Sequence, residues 1–272
     1  MNRHGFTLVE LLVATVVAAI LGTALARLLV NDSRFVSRQE AMLSARHTAR
    51  TAMNWMAAEL RMVSDGGLLA ATPESVRVRV PYAFGLVCGF SGIQRVVSLM
   101  PVDSLQYANA NPDGLAWQSG GGTYNFPSSF SLSPSSDTAT CTDDSIRVVP
   151  GGRLLRIGVI SLPPTGSVAY LYETITYKFA PSADLSGRIG LWRRAAGSTY
   201  EELVAPFDSA AGFGFLVGSS TTALDNPPGD LETVTGIELR LVGASQYVPR
   251  GATKAQTFEL VTQARFQNKF NQ

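Results

Sequence analysis

Two histidines, His4 and His47, and two cysteines, Cys88 and Cys141, are the side chains that could supply acid–base, nucleophilic or soft-metal chemistry near neutral pH. A Ser-His-Asp or Cys-His arrangement would have to use His47, and no Gly-x-Ser-x-Gly elbow is present. The plainer reading of His47 is a solvated helix residue. The cysteine spacing matches no zinc motif. The run Gly120-Gly121-Gly122 lacks the Gly-Lys-Ser/Thr that a phosphate-binding loop needs. Asp143-Asp144, and the pair Asp225 and Asp230, offer hard oxygens to calcium, but neither follows the alternating ligand loop of an EF-hand, so solvated turns are the default. Trp55, Trp117 and Trp192 read as core or interface residues rather than a sugar platform. These patterns point away from an enzyme and from a cofactor or metal.

The residue that does demand an explanation is Glu10. Between Phe6 and Val30 only Glu10 and Arg27 are charged, and Gly22 is the only helix-weakening residue. A helix over these residues rises about 37 Å, enough to cross the ~30 Å of bilayer hydrocarbon with some tilt. A carboxylate inside such a span costs roughly 2.5–3.5 kcal/mol on insertion scales, so it usually has a partner or a job. Upstream lies a short segment with Arg3, ending in Gly5-Phe6-Thr7-Leu8-Val9-Glu10.

A short leader, that hexapeptide and a long apolar helix together resemble the type IV pilin and type II secretion pseudopilin family. The resemblance is specific over residues 1–30 and continues more weakly to about Asp65. It implies that a prepilin peptidase removes residues 1–5 by cutting after Gly5 and that the new amino terminus, Phe6, is methylated. It further implies that Glu10 offsets the positive amino terminus of a neighbouring subunit when helices bundle into a filament. Physical reasoning agrees with the pairing, because a carboxylate and an ammonium, each costly in lipid, become tolerable together.

Two other readings use the same residues. Arg3, the apolar run and Ala24-Leu25-Ala26 fit a secretory signal peptide cut after Ala26, and a plain membrane anchor with an incidental acid is the second. Glu10 within the apolar region, and a helix pattern that continues past Ala26, argue against the first. Arg3 precedes the span whereas Arg27, Arg34 and Arg38 follow it, so a positive-inside count would invert the topology; the character of the downstream domain outweighs it.

The chain has 272 residues and a net charge of +1, so it can bury a real core and carries no global field favouring nucleic acid. Charged residues make up only 16%, with Ser, Thr and Gly supplying much of the polarity, which suits an exported β-rich domain. In that setting Cys88 and Cys141 are expected to form one disulfide. The alternative is that both are buried separately as small apolar residues.

No proline interrupts residues 6–65, and from Asn31 the helix is expected to continue as an amphipathic one. Met42, Ala45, Ala49, Met53, Met56, Leu60 and Val63 recur at three-four spacing, while Arg38, Arg46, Arg50, Glu59 and Arg61 occupy the other faces. Ser64-Asp65-Gly66-Gly67 ends it. From Ser75 the period changes to two. Strands are expected at Val76–Val80, Leu86–Phe90, Arg95–Met100, Ser145–Val149, Leu154–Ile160 and Val168–Phe179. Others follow at Ile189–Arg193, Glu202–Val204, Phe213–Val217, Val234–Val242 and Thr257–Phe266. Ile237, Leu239 and Leu241 should share a face, as should Phe258, Leu260 and Thr262. Hardly any second helix is visible. The expected class is α+β, a pilin-like fold in which the long helix packs on an antiparallel β-sheet head. Its parts are a leader 1–5, a transmembrane helix 6–30, an amphipathic continuation 31–65 and a head 66–272. Residues 109–144, rich in Gly, Pro, Ser and Asn, read as a loop-rich insertion that Phe126 and Phe130 could anchor.

Towards the end, Tyr177-Lys178-Phe179, a turn and Leu191-Trp192-Arg193, then Phe213-Gly214-Phe215, Val234 to Leu239 and Gln263 to Asn268, resemble in order J-type minor pseudopilins and W-type minor pilins. The resemblance implies a structural subunit near the tip or in the initiating complex of a type II secretion pseudopilus or type IV pilus. Its implied partners are other minor and major pilins, the prepilin peptidase, the inner-membrane assembly platform and inner-membrane lipid, with the head in the periplasm. The competing class is a filament-displayed binding protein, an adhesin or DNA-uptake receptor. Arg147, Arg153 and Arg156 are the only basic grouping that hints at it, and arginines alternating with aliphatics are more often the wet face of a sheet.

Overall fold

The computed structural model describes residues 8–119, 123–136, 138–141, 150–159, 161 and 163–266. With no proline before residue 73, the first helix, α1, runs unbroken from Leu8 to Met62, about 82 Å. It ends slightly before Asp65: the Gly67 N–H donates to the Ser64 carbonyl at 2.9 Å, and Gly66 takes φ 71° in the turn. The strands are β1 Leu68–Thr72, β2 Ser75–Ser91 and β3 Gln94–Leu99, then a second helix α2 Pro101–Asn109. They continue with β4 Gly114–Gln118, β5 Tyr124–Asn125, β6 Phe130–Ser135, β7 Arg153–Val159 and β8 Val168–Pro181. The last five are β9 Ile189–Ala195, β10 Glu201–Phe207, β11 Gly212–Val217, β12 Val234–Ala244 and β13 Thr257–Arg265. The architecture is α+β, a long helix on a large antiparallel sheet.

Two long strands form the spine. β2 and β8 pair from Ser75↔Lys178 to Leu86↔Val168. Along its free side β2 carries β1 and then β3; β8 carries β9 and then β4. Between each pair of short strands the spine would leave backbone donors unmet, and a carboxylate fills each gap. Asp103 accepts the Phe84 N–H at 2.8 Å, and Asp113 accepts the Thr174 N–H at 2.6 Å.

The helix covers one half of the sheet. Ala41, Ala45, Thr48, Ala49, Ala52, Met56 and Leu60 are buried, so the seam is made largely of alanine, with Met42 and Met53 half-buried beside it. Such a thin seam brings backbone against backbone. A Cβ added at Gly243 on β12 would collide with the carbonyl oxygen of Ala45. Met56, Leu60, Tyr177, Phe207, Phe213, Phe215, Ile237, Leu239 and Leu241 fill this first core. Burying side chains of this size contributes about 1.5–3 kcal/mol each. The pairs Ile237↔Ala264, Leu239↔Thr262 and Leu241↔Leu260 put the expected faces of β12 and β13 together under α1. A second core, beyond the helix, gathers Val87, Val97, Leu99, Leu115, Trp117, Leu155, Ile157 and Leu171.

Several elements differ from expectation. Val76–Val80 and Leu86–Phe90 are not two strands but one, β2, because Pro81 sits at a register shift where its missing N–H is tolerated. Residues 109–144 are not merely loop: β4 pairs with β8 and β5, and β6 pairs with β7. In β4, Gly114, Leu115, Ala116 and Trp117 are all buried, which erases the alternation that marks a half-exposed strand. Gly114 is required there, since a Cβ would run into the Tyr172 ring. β1 was hidden by its brevity. α2 was hidden because its pattern is inverted: Ser104 is buried while Val102 and Leu105 are exposed. The expected strand Ser145–Val149, with Arg147, lies outside the described residues.

Cys88 on β2 and Cys141, in the 3-10 turn Thr138–Cys141, are joined as a disulfide with Cα atoms 5.1 Å apart, packed with Val96 and Leu154. The bond spans 53 residues. Loop closure of that length restricts the unfolded chain by about 4 kcal/mol. Reduction is therefore expected to lower the denaturant midpoint of the head. An unchanged midpoint, with both thiols shown to be reduced, would refute that contribution.

Candidate functional site

Contacts between head and helix begin low on the helix. The Arg250 N–H donates to Ser37 Oγ at 3.2 Å, and its guanidinium reaches Ser33 Oγ at 3.3 Å. Below that point Leu8–Asp32 project from the head for about 37 Å, and every one of these residues is exposed. A core helix buries its apolar side chains; here none of the span-like segment is buried. It is one helix long and apolar enough to cross a membrane.

Two hydroxyls within the projection are satisfied inside the helix itself, as a lipid environment requires. Thr15 Oγ1 donates to the Leu12 carbonyl at 2.9 Å, and Thr23 Oγ1 to the Ile20 carbonyl at 2.8 Å, so neither hydroxyl looks outside its own helix. Glu10 lies on this segment, near the start of the described part of α1. Arg27 is about 25 Å further along the axis. Gly5 and Phe6, the expected processing residues, lie outside the described residues, as do His4, Gly120–Gly122 and Asp143-Asp144.

At the other end of α1 a polar clasp ties helix to sheet. The Tyr177 hydroxyl on β8 donates to Glu59 Oε2 at 2.5 Å, and Arg193 Nη2 on β9 to Glu59 Oε1 at 3.1 Å. Tyr177 and Arg193 are cross-strand partners, so the two strands deliver them to one carboxylate together. Burial, and then the Glu59 charge, push the Tyr177 phenol well above its ordinary range. Burial pulls Arg193 down, but Glu59 and Tyr177 outweigh it and hold the guanidinium charged. Glu173 is raised, first by burial and then by Asp113 and Glu59, with Arg193 opposing. Glu59 was expected on a wet face; its only sequence signal is an acid set among the apolar residues of the last helical turns. Just past the end of α1, Ser64 and Tyr170 on β8 add a hydroxyl–hydroxyl contact.

The remaining candidates are dispersed. His47 is exposed on α1. Asp225 bonds Arg240 at 2.7 Å, and Asp230 caps a 3-10 turn by accepting the Glu232 N–H at 2.9 Å. No group of three metal-ligating side chains occurs among the described residues. Trp117 is buried in the second core, Trp192 is half-buried on β9, and Trp55 is exposed on α1. Arg153 and Arg156 lie on β7.

No curated protein and no solved structure matches the chain. One family model does, over residues 1–26: the prokaryotic N-terminal methylation motif. The matched residues lead into the projecting part of α1, so the chain carries the prepilin-type signature at the foot of a pilin-like α+β architecture.

Proposed function

We propose that this protein is a minor pilin or pseudopilin, a structural subunit of a type IV pilus or type II secretion pseudopilus near its tip or in its initiating complex. The observation that carries the reading is the continuity of α1. One helix begins within the methylation motif, projects unburied for about a membrane's thickness and then packs into the head. In this reading the prepilin peptidase cuts after Gly5 and Phe6 becomes the methylated amino terminus. Residues 6–30 hold the protein in the inner membrane with the head, residues 66–272, in the periplasm. Filament incorporation pairs Glu10 with the amino terminus of a neighbouring pilin, while the Glu59 clasp and the alanine seam keep head and helix one body. The order of the C-terminal motifs, which resembles J-type minor pseudopilins and W-type minor pilins, supports a minor rather than a major subunit.

Mass spectrometry of the amino-terminal peptide tests it. The mature protein is expected to begin at Phe6 and to carry one added methyl group. A start at Arg27 would establish a cleaved signal peptide and remove the filament mechanism.

A further inference from the structure

Arg95 on β3 is an ionised side chain in a place that gives it little to bond. It is 7% exposed, and its Nε and Nη1 are buried without a hydrogen-bond partner among the described residues. Its cross-strand neighbours are Phe90 on β2 and Ile157 on β7, and beyond Ile157 stands Leu132 on β6. The ring of Phe90 lies over the guanidinium, its centroid 3.1 Å from Cζ. Burial pushes the Arg95 pKa down. A cation–π contact returns part of the lost hydration, but it leaves the in-plane N–H groups unmet, and buried donors of this kind are costly. Such groups in a native fold call for an explanation.

The surroundings suggest one. Arg95 sits beneath the β2–β3 hairpin tip, whose turn uses Gly92 at φ 64°. Ile93 in that turn is 88% exposed and Phe90 is 58% exposed. The tip therefore presents two apolar groups to solvent, and directly under one of them lies a planar cation with two buried nitrogens unmet among the described residues. Phe90, more than half exposed, is the side chain that a ligand would displace to reach the guanidinium.

We propose that this tip is a carboxylate-binding site for a partner protein: Arg95 takes a peptide carboxylate on its unmet N–H groups, and Phe90 and Ile93 pack on the apolar residue beside that carboxylate. A planar guanidinium fork matches a carboxylate in a way that an ammonium does not. The site is on the head, remote from the projecting helix, and is independent of how the helix assembles.

The test uses the full chain in detergent micelles with 15N-labelled arginine, following the Arg95 Nε–H resonance, assigned by its loss in Arg95→Lys. Three acetylated peptides are titrated at fixed ionic strength: one ending in Leu with a free carboxylate, an amidated Glu-Leu and an amidated Gln-Leu. The resonance should shift saturably with at least one acid, and roughly tenfold more weakly or not at all with the neutral peptide. Which acid acts tells a chain terminus from a side chain. Ile93→Ser, at an exposed turn position that does not test folding, should weaken binding of the active peptide. No shift with either acid, or an equal shift with the neutral peptide, overturns the proposal.

Discussion

Glu10→Ala is expected to reduce co-purification with partner pilins sharply while leaving membrane insertion, protein level and head stability intact. Removing a carboxylate from an apolar span eases insertion by the same roughly 2.5–3.5 kcal/mol that the acid cost. The first buried residue of the seam, Ala41, lies about 46 Å along the helix from Glu10, too far for the head to sense the change. What disappears, in the proposed assembly, is the acid facing the methylated amino terminus of the adjoining subunit. An unpaired ammonium in lipid then makes docking costly. Glu10→Gln should be almost as defective, because the amide keeps the shape and loses the charge. Pull-down of partner pilins measures the effect, with a head melting curve as control. Wild-type assembly by both variants would make Glu10 a passenger.

Gly243→Val should destabilise the head by about 3 kcal/mol or more, at the upper end of what overpacking costs, because the obstacle is main chain rather than a movable side chain. In an open strand the same change would help, since valine favours the pleated conformation that glycine resists. Here the new Cβ meets the Ala45 carbonyl oxygen, and the Ala49 nitrogen lies close behind. Relief requires α1 to lift from β12, which opens the alanine seam on which the first core closes. For a head of this size the melting temperature should fall by roughly 6–12 °C. Gly229→Ala, where an added Cβ meets nothing within 4 Å, is the control and should change little. Equal melting of Gly243→Val and wild type would show that helix and sheet are less tightly apposed than the geometry indicates.

The sequence by itself determined the parts of this protein whose signal is local. The Gly5–Glu10 motif and the apolar run needed no tertiary information, because each is a property of a short linear segment. The helix from Leu8 to Met62 was equally legible, since a proline-free run with three-four periodicity has one regular conformation that uses its pattern. Strands that bury one face, such as β12 and β13, showed their alternation. Elsewhere the tertiary structure decided. β4 is buried on both faces and α2 turns its apolar residues outward, so periodicity was absent in one and misleading in the other. Pro81 reads as a strand breaker until the partner strand supplies a register shift to hold it. Glu59 lies more than a hundred residues from both Tyr177 and Arg193, and only the pairing of β8 with β9 against α1 brings the three to one point. The same is true of Arg95 beneath Phe90: both are ordinary residues of a hairpin in sequence. What buries the cation under an exposed ring is the pairing of β3 with β7 and of β7 with β6, strands distant in sequence, which no local pattern encodes.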